Sequence, residues 1–311
     1  MGVFNPKAMG RYETLHANRD RLVHYTSAEN AMKIISAETI WLRNTNCMSD
    51  YAEISLGFGC LQRFFGDQSK LQRFVSAVDT CYPNLGADAL SHVNNWLPEI
   101  QTNTYICSVS EHDPKEDVIG RLSMWRAFGQ STQARAAIVM NVPDPFATEG
   151  LHLTLLPVEY TDYDEVEARL EQTIQDVNAN VLFLQSWPRD RLLQVIFTFL
   201  SSIAVCSKHI GYREEREWRG IYLPNYFPSN LIKPSTQTVG GIPQIVYEIP
   251  LKEDPANDVV GTGIPALVER IIVGPSMYPL PMWMAFVDAL KKAGVPDPDK
   301  RVFLSNIPIR W

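Results

Sequence analysis

Residues 105–111 read YICSVSE. An apolar start leads into Ser108, Val109 and Ser110, and this period-two alternation predicts a strand. Both hydroxyls then share one face and Val109 takes the other. Before it, residues 52–100 read mostly helical, with a break near Pro83-Asn84-Leu85-Gly86. After it come a charged loop, EHDPKEDVIG, a short helix, RLSMWRAFG, ended by Gly129, and a strand, ARAAIVMNV. A second helical block covers 163–208, divided near Trp187-Pro188. Short strands between helical blocks predict an α+β chain, a β core with large helical insertions, and not the regular alternation of a doubly wound sheet.

The other segments fit that frame. RLVHYTS (21–27) predicts a strand, and Thr26 or Ser27 would cap the short amphipathic helix AENAMKIISAE, with Ala31, Ile34 and Ile35 inward. TIWLRNT predicts a second strand, and Ser49 or Asp50 would cap the helical region after it. LHLTLLPVEYT reads as one or two strands; EREWRGIYLP and PQIVYEIPL read as one each. A β-α-β ending follows in VERIIVGP, MWMAFVDALKKAG and RVFLS. Residues 1–20 read as a polar arm and 21–311 as one domain.

With 311 residues and 45% hydrophobic content, wholesale disorder is excluded. A chain this long buries roughly 75% of its extended surface and needs no staples. Thirty-five acids against 28 bases, a net charge of −7, argue against a dedicated duplex-DNA grip. Cys47, Cys60, Cys81, Cys107 and Cys206 are odd in number and form no C-x-x-C, which predicts reduced thiols in the cytoplasm. No signal-like h-region opens the chain, and Pro6 stands where a myristoylation motif needs Ser or Thr. The most apolar stretch, Leu192–Cys206, is 15 residues long, whereas a span needs about 20, so it predicts a buried helix and no membrane partner.

Three polar groups on expected strands are candidates for chemistry: His24, the pair Ser108 and Ser110, and the run KHIGYREEREWRG. Continued as a strand, that run puts Glu215 and Glu217 on one face, where two carboxylates repel unless they serve a cation or a reaction. The plainer reading of such a run is a solvated turn. Trp125 is most simply core, with stacking on a ring as its alternative. His24, His209, Asp50 and Glu53 lack metal-site spacing, so no metal is expected. No G-x-S-x-G elbow, G-x-G-x-x-G or Walker loop is present.

Taken together, LVHYTS, IWLRNTNCMSDYAE, YICSVSE, SMWRAFG, KHIGYREEREWRG and the ending IIVGP…RVFLSNIPIR resemble bacterial domain-of-unknown-function family 2971, from about residue 22 to 310. That family in turn resembles a distant branch of the ADP-ribosyltransferases. The resemblance implies a split β core that clamps NAD+ as substrate. It aligns His24 with the first-strand His or Arg, Ser108 and Ser110 with the middle-strand motif, Glu217 with the late-strand Glu, and Glu215 with the upstream acid of an E-x-E pattern. The chain departs from it in having Ser-Val-Ser where Ser-Thr-Ser is commoner, and in its long helical blocks.

The chemistry accounts for those residue types. Cleaving the nicotinamide–ribose bond passes through an oxocarbenium-like ribose. An ionised Glu217 would stabilise that charge, His24 would hold a ribose hydroxyl, and Glu215 would serve as general base toward an acceptor. Ser108 would hold a ribose and Ser110 the surrounding backbone. Tyr25 or Trp125 would stack on nicotinamide, and Arg43 or Arg126 would meet the pyrophosphate. The acceptor, whether protein, nucleic acid or water, stays open. Two alternatives stand beside this reading. One is an inactive nucleotide-binding or partner-docking module, as in a toxin or defence system. The other is a nucleic-acid-processing enzyme whose groove would use Arg121, Arg126, Arg135, Lys208, Arg213 and Arg216.

Overall fold

The structure, a computed structural model, describes residues 2–48, 51–127 and 134–308; the side chains of 51–54 are not described. The caps expected at Ser49 or Asp50, the helix end at Gly129 and the Asp50–Glu53 pair lie outside the described residues.

The expected polar arm contains a helix, α1 (Pro6–Ala17), with Phe4, Ala8 and Leu15 buried. Within the helix the spacing of seven puts Ala8 and Leu15 on one face, with Phe4 buried just before its start, which the polar composition of the segment hides. The chain divides into two compact units. One compact unit comprises Met1–Glu13, Asn44–Thr104 and Leu156–Arg213; the other comprises Thr14–Arg43, Tyr105–Leu155 and Glu214–Trp311.

The second unit carries the main sheet. Its elements are β1 (Arg21–Ser27), α2 (Ala28–Ala37), β2 (Thr39–Asn44), β3 (Tyr105–His112), α6 (Leu122–Ala127), β4 (Arg135–Met140) and β5 (Thr154–Pro157). They continue with β8 (Glu217–Tyr222), β9 (Lys233–Val239), β10 (Ile242–Pro250), α10 (Ile264–Leu267), β11 (Val268–Val273), α11 (Pro279–Lys292) and β12 (Val302–Leu304). Among the described residues ten strands join in the order β12-β11-β4-β1-β3-β2-β10-β9, with β8 pairing β3 and β5 off that path. The β11–α11–β12 ending adds a parallel pair to it, in register Ile271↔Val302. The architecture is mixed α and β, as the alternation of blocks predicted.

Local chemistry explains the starts and stops. Ser27 caps α2 by accepting from the Asn30 amide, and Glu38 ends that helix in the left-handed region at φ 52°. One sheet face packs Val23, Tyr25, Ala137, Val139 and Ile272 with Met124 and Trp125. The opposite face packs Tyr105, Cys107, Ala136, Ile138, Ile271 and Val273 with Ala31 and Ile35 of α2 and Phe286 and Leu290 of α11.

The helical unit contains α3 (Tyr51–Gly66), α4 (Gln68–Asp79), α5 (Leu85–Thr102), α7 (Tyr163–Ala179), α8 (Val181–Gln185) and α9 (Arg189–Cys206). The short strands β6 (Glu159–Thr161) and β7 (Ser207–His209) pair in parallel beside them. The apolar stretch 192–206 is the buried length of α9, as its composition required. Gly57 on α3 sets the closest approach, since a Cβ there would lie 2.3 Å from the Ile203 carbonyl oxygen of α9. No helix of the described residues is long and apolar enough to cross a membrane.

Candidate functional site

The strand YICSVSE sits between partners on both edges. β8 occupies one edge antiparallel, from Tyr105↔Tyr222 to Ser110↔Glu217. β1 and β2 therefore share the other edge, and β1 pairs with β3 only from Arg21↔His112 to Val23↔Ser110. Beyond Val23 the β1–β3 ladder stops, while β1 continues against β4 through Ser27↔Arg135. The sheet thus opens between β1 and β2 beside Ser108.

His24 stands at that opening. Its Nδ1 lies 3.0 Å from the Ser108 carbonyl oxygen. A carbonyl only accepts, so Nδ1 carries the proton and Nε2 presents a lone pair. Burial pushes the His24 pKa below its ordinary value, against the opposing effect of the Ser108 carbonyl, and favours this neutral form.

The same residue reaches the other way through its side chain. Ser108 Oγ donates to Glu217 Oε1 at 2.6 Å. Arg219 holds the same carboxylate at two points, Nε to Oε1 at 2.9 Å and Nη2 to Oε2 at 3.2 Å. Glu217 is only 5% exposed and Arg219 2%. The cross-strand pairs Ser110↔Glu217 and Ser108↔Arg219 place all four side chains on the face of Val23 and Tyr25. His24, paired with Ile138, belongs to the opposite face. Ser108 is thus the residue that joins His24 to Glu217, by carbonyl on one side and hydroxyl on the other. Ser110 is buried directly across from Glu217.

The E-x-E segment differs from expectation. The expected strand from 215 begins only at Glu217, because residues Ile210–Glu215 form a 3-10 turn and Arg216 adopts φ 45°. Glu215 therefore does not share a strand face with Glu217. Arg219, two residues along the same strand, pairs with Glu217.

Tyr25 and Trp125 meet each other in the core, edge to face, with centroids 4.9 Å apart. They are 4% and 1% exposed, so neither ring presents a face for stacking. Trp125 Nε1 donates to the Ile119 carbonyl at 2.9 Å. The Tyr25 hydroxyl accepts from the Arg121 amide at 2.8 Å, and burial above all raises its pKa to about 12. Arg43, half-buried on β2, donates from Nε to Gln244 Oε1 at 3.3 Å. Arg126 is exposed on α6. Of the basic residues grouped for a nucleic-acid groove, Arg135 and Lys208 are each 2% exposed, which removes them from any solvent-facing groove.

Arg121 and Arg219 matter more here than their sequence context suggested. Arg219 had a local signal, opposite charge two positions from Glu217 in a strand. Arg121 had only Glu116, five residues back, as a local signal; its contacts with Glu214 and Glu215 come from a distant segment. No family model matches the chain, and no curated protein or solved structure matches it either.

Proposed function

We propose that this chain is a NAD+-cleaving, ADP-ribosyltransferase-like enzyme related to bacterial domain-of-unknown-function family 2971, with its site where β1 leaves β3. The observation that carries the reading is the hydrogen-bonded line from His24 through Ser108 to Glu217, which joins three separated motifs in the expected chain order.

In this reading the lone pair of His24 Nε2 accepts from a ribose hydroxyl and holds the dinucleotide. Glu217, kept in place by Ser108 and Arg219, supplies the negative charge that favours an oxocarbenium-like ribose as nicotinamide departs. Being held at both oxygens, it needs little reorganisation when that charge develops. Glu215, half-buried on the turn before β8, is the base for an incoming acceptor.

A second reading rests on the Arg219 pair itself. A carboxylate already held by a guanidinium and a hydroxyl is a structural ion pair, and the chain is then a nucleotide-binding module without turnover. Incubating the purified protein with NAD+, with and without cell extract, separates the two. Nicotinamide release supports the enzyme; calorimetric binding without release supports the module; neither release nor binding overturns both.

A further inference from the structure

We propose that Arg121 is a positioning residue, the clamp that holds the bend carrying Glu215 and Glu217 in its working shape. The inference rests on the catalytic reading above, and its test separates the two.

All five guanidinium donors of Arg121 are spent. Nε and Nη2 hold Glu116 at 2.8 and 3.0 Å, a two-point ion pair. Nη2 also donates to the Glu111 carbonyl at 2.8 Å, at the end of β3. Nη1 donates to the carbonyls of Glu214 and Glu215 at 3.0 and 3.3 Å, on the turn before β8. The backbone amide of the same residue donates to the Tyr25 hydroxyl on β1. One residue therefore touches all three strands that carry His24, Ser108 and Glu217, or the turns that end them. Both charged partners are sheltered, with side chains 11% and 17% exposed.

What the clamp grips is strained. Arg216, between the two acids, has φ 45°, a conformation that L-residues with a Cβ avoid. Its carbonyl accepts from the Glu111 amide at 2.9 Å, which extends the β3–β8 ladder one step past Ser110↔Glu217. Arg121 then grips the carbonyls on either side of that step, at Glu111 and at Glu214–Glu215. Without the guanidinium the left-handed turn has less to hold it, and relaxation there re-aims both glutamates. Such strain held beside reactive groups is a mark of pre-organisation.

The test compares Arg121→Ala, Arg216→Gly and the double variant. Glycine accepts positive φ freely, so it relieves the strain that the clamp resists. We expect Arg121→Ala to lower kcat about 100-fold with KM for NAD+ nearly unchanged, the effect of misplacing a reacting group. Arg216→Gly added to it restores about tenfold, by the strain it removes. Amide exchange at 214–217 accelerates in Arg121→Ala, and slows again in the double variant, while β4 and β11 keep their protection. Where Arg121→Ala does not fold, Arg121→Lys, which keeps the charge and loses the fork, replaces it with the same expected order. Unchanged kcat and exchange in the single variant, or a loss that Arg216→Gly does not reverse, overturns the proposal. If the wild-type chain releases no nicotinamide, the catalytic reading has failed, and the exchange pattern alone decides whether the clamp holds the bend.

Discussion

Glu217 and Arg219, two residues apart on one strand face, form a buried two-point ion pair. The alternation of β8 makes this inevitable once Glu217 opens the strand, because residues i and i+2 point the same way. The pair is the electrostatic centre of the site.

Arg219→Met therefore takes away the guanidinium that holds both oxygens of buried Glu217. We expect a loss of about 3–5 kcal/mol in urea denaturation, the usual cost of breaking a buried pair from one side. Glu217→Leu combined with Arg219→Met recovers most of that loss, since two apolar groups need no partners. A single-variant loss below about 1 kcal/mol would show that water reaches the carboxylate.

Acid pH acts through two histidines. The His24 pKa is lowered, chiefly by burial. His112 is lowered likewise by burial, which outweighs the hydrogen bond from its Nε2 to Asp117 at 2.7 Å. The folded chain thus resists protons that the unfolded chain takes up below about pH 6.5. Stability is full above that pH and falls as pH drops through the window between the unfolded and folded values. Each histidine contributes a slope of at most about 1.4 kcal/mol per pH unit. His24→Gln keeps a donor for the Ser108 carbonyl and removes its share. Denaturant titrations between pH 7.5 and 5 should therefore give a flatter curve; an unchanged slope would mean His24 titrates alike in both states.

Gly120 tests the support behind Arg121. It has φ 67°, and an added Cβ would lie 2.6 Å from the Trp125 ring. Gly120→Ala combines left-handed strain with overpacking against a buried indole, for a loss of about 2 kcal/mol or more. Differential scanning calorimetry would register it as a lowered Tm, and near-UV circular dichroism as a change in the Trp125 signal. Wild-type values in both would mean the loop moves away without cost.

Much of this arrangement was legible in the sequence, for identifiable reasons. YICSVSE announced its strand by period-two alternation, and the β11–α11–β12 ending by a clean change of period. Ser27 was one of two readable caps. The E-x-E run misled because a non-glycine residue at positive φ, Arg216, leaves no mark in composition. The polar arm misled because only Phe4, Ala8 and Leu15 reveal its buried face. That the helical blocks assemble as a separate unit depends on contacts such as Gly57 against α9, which local periodicity does not encode. Trp125 took its plainer reading, core, with Tyr25 packed edge to face against it. Arg121 was read only as a groove residue because, beyond nearby Glu116, its link to the Glu214 and Glu215 carbonyls forms only on folding.

The account turns on Glu217. Its most direct test is the rate of nicotinamide release from saturating NAD+ by the purified full chain and by Glu217→Gln, an isosteric change that keeps an acceptor for Ser108 and removes the charge. The account predicts measurable release by the wild type and a fall of about 100-fold or more in the variant, with NAD+ still bound. Equal rates in the two proteins would contradict it.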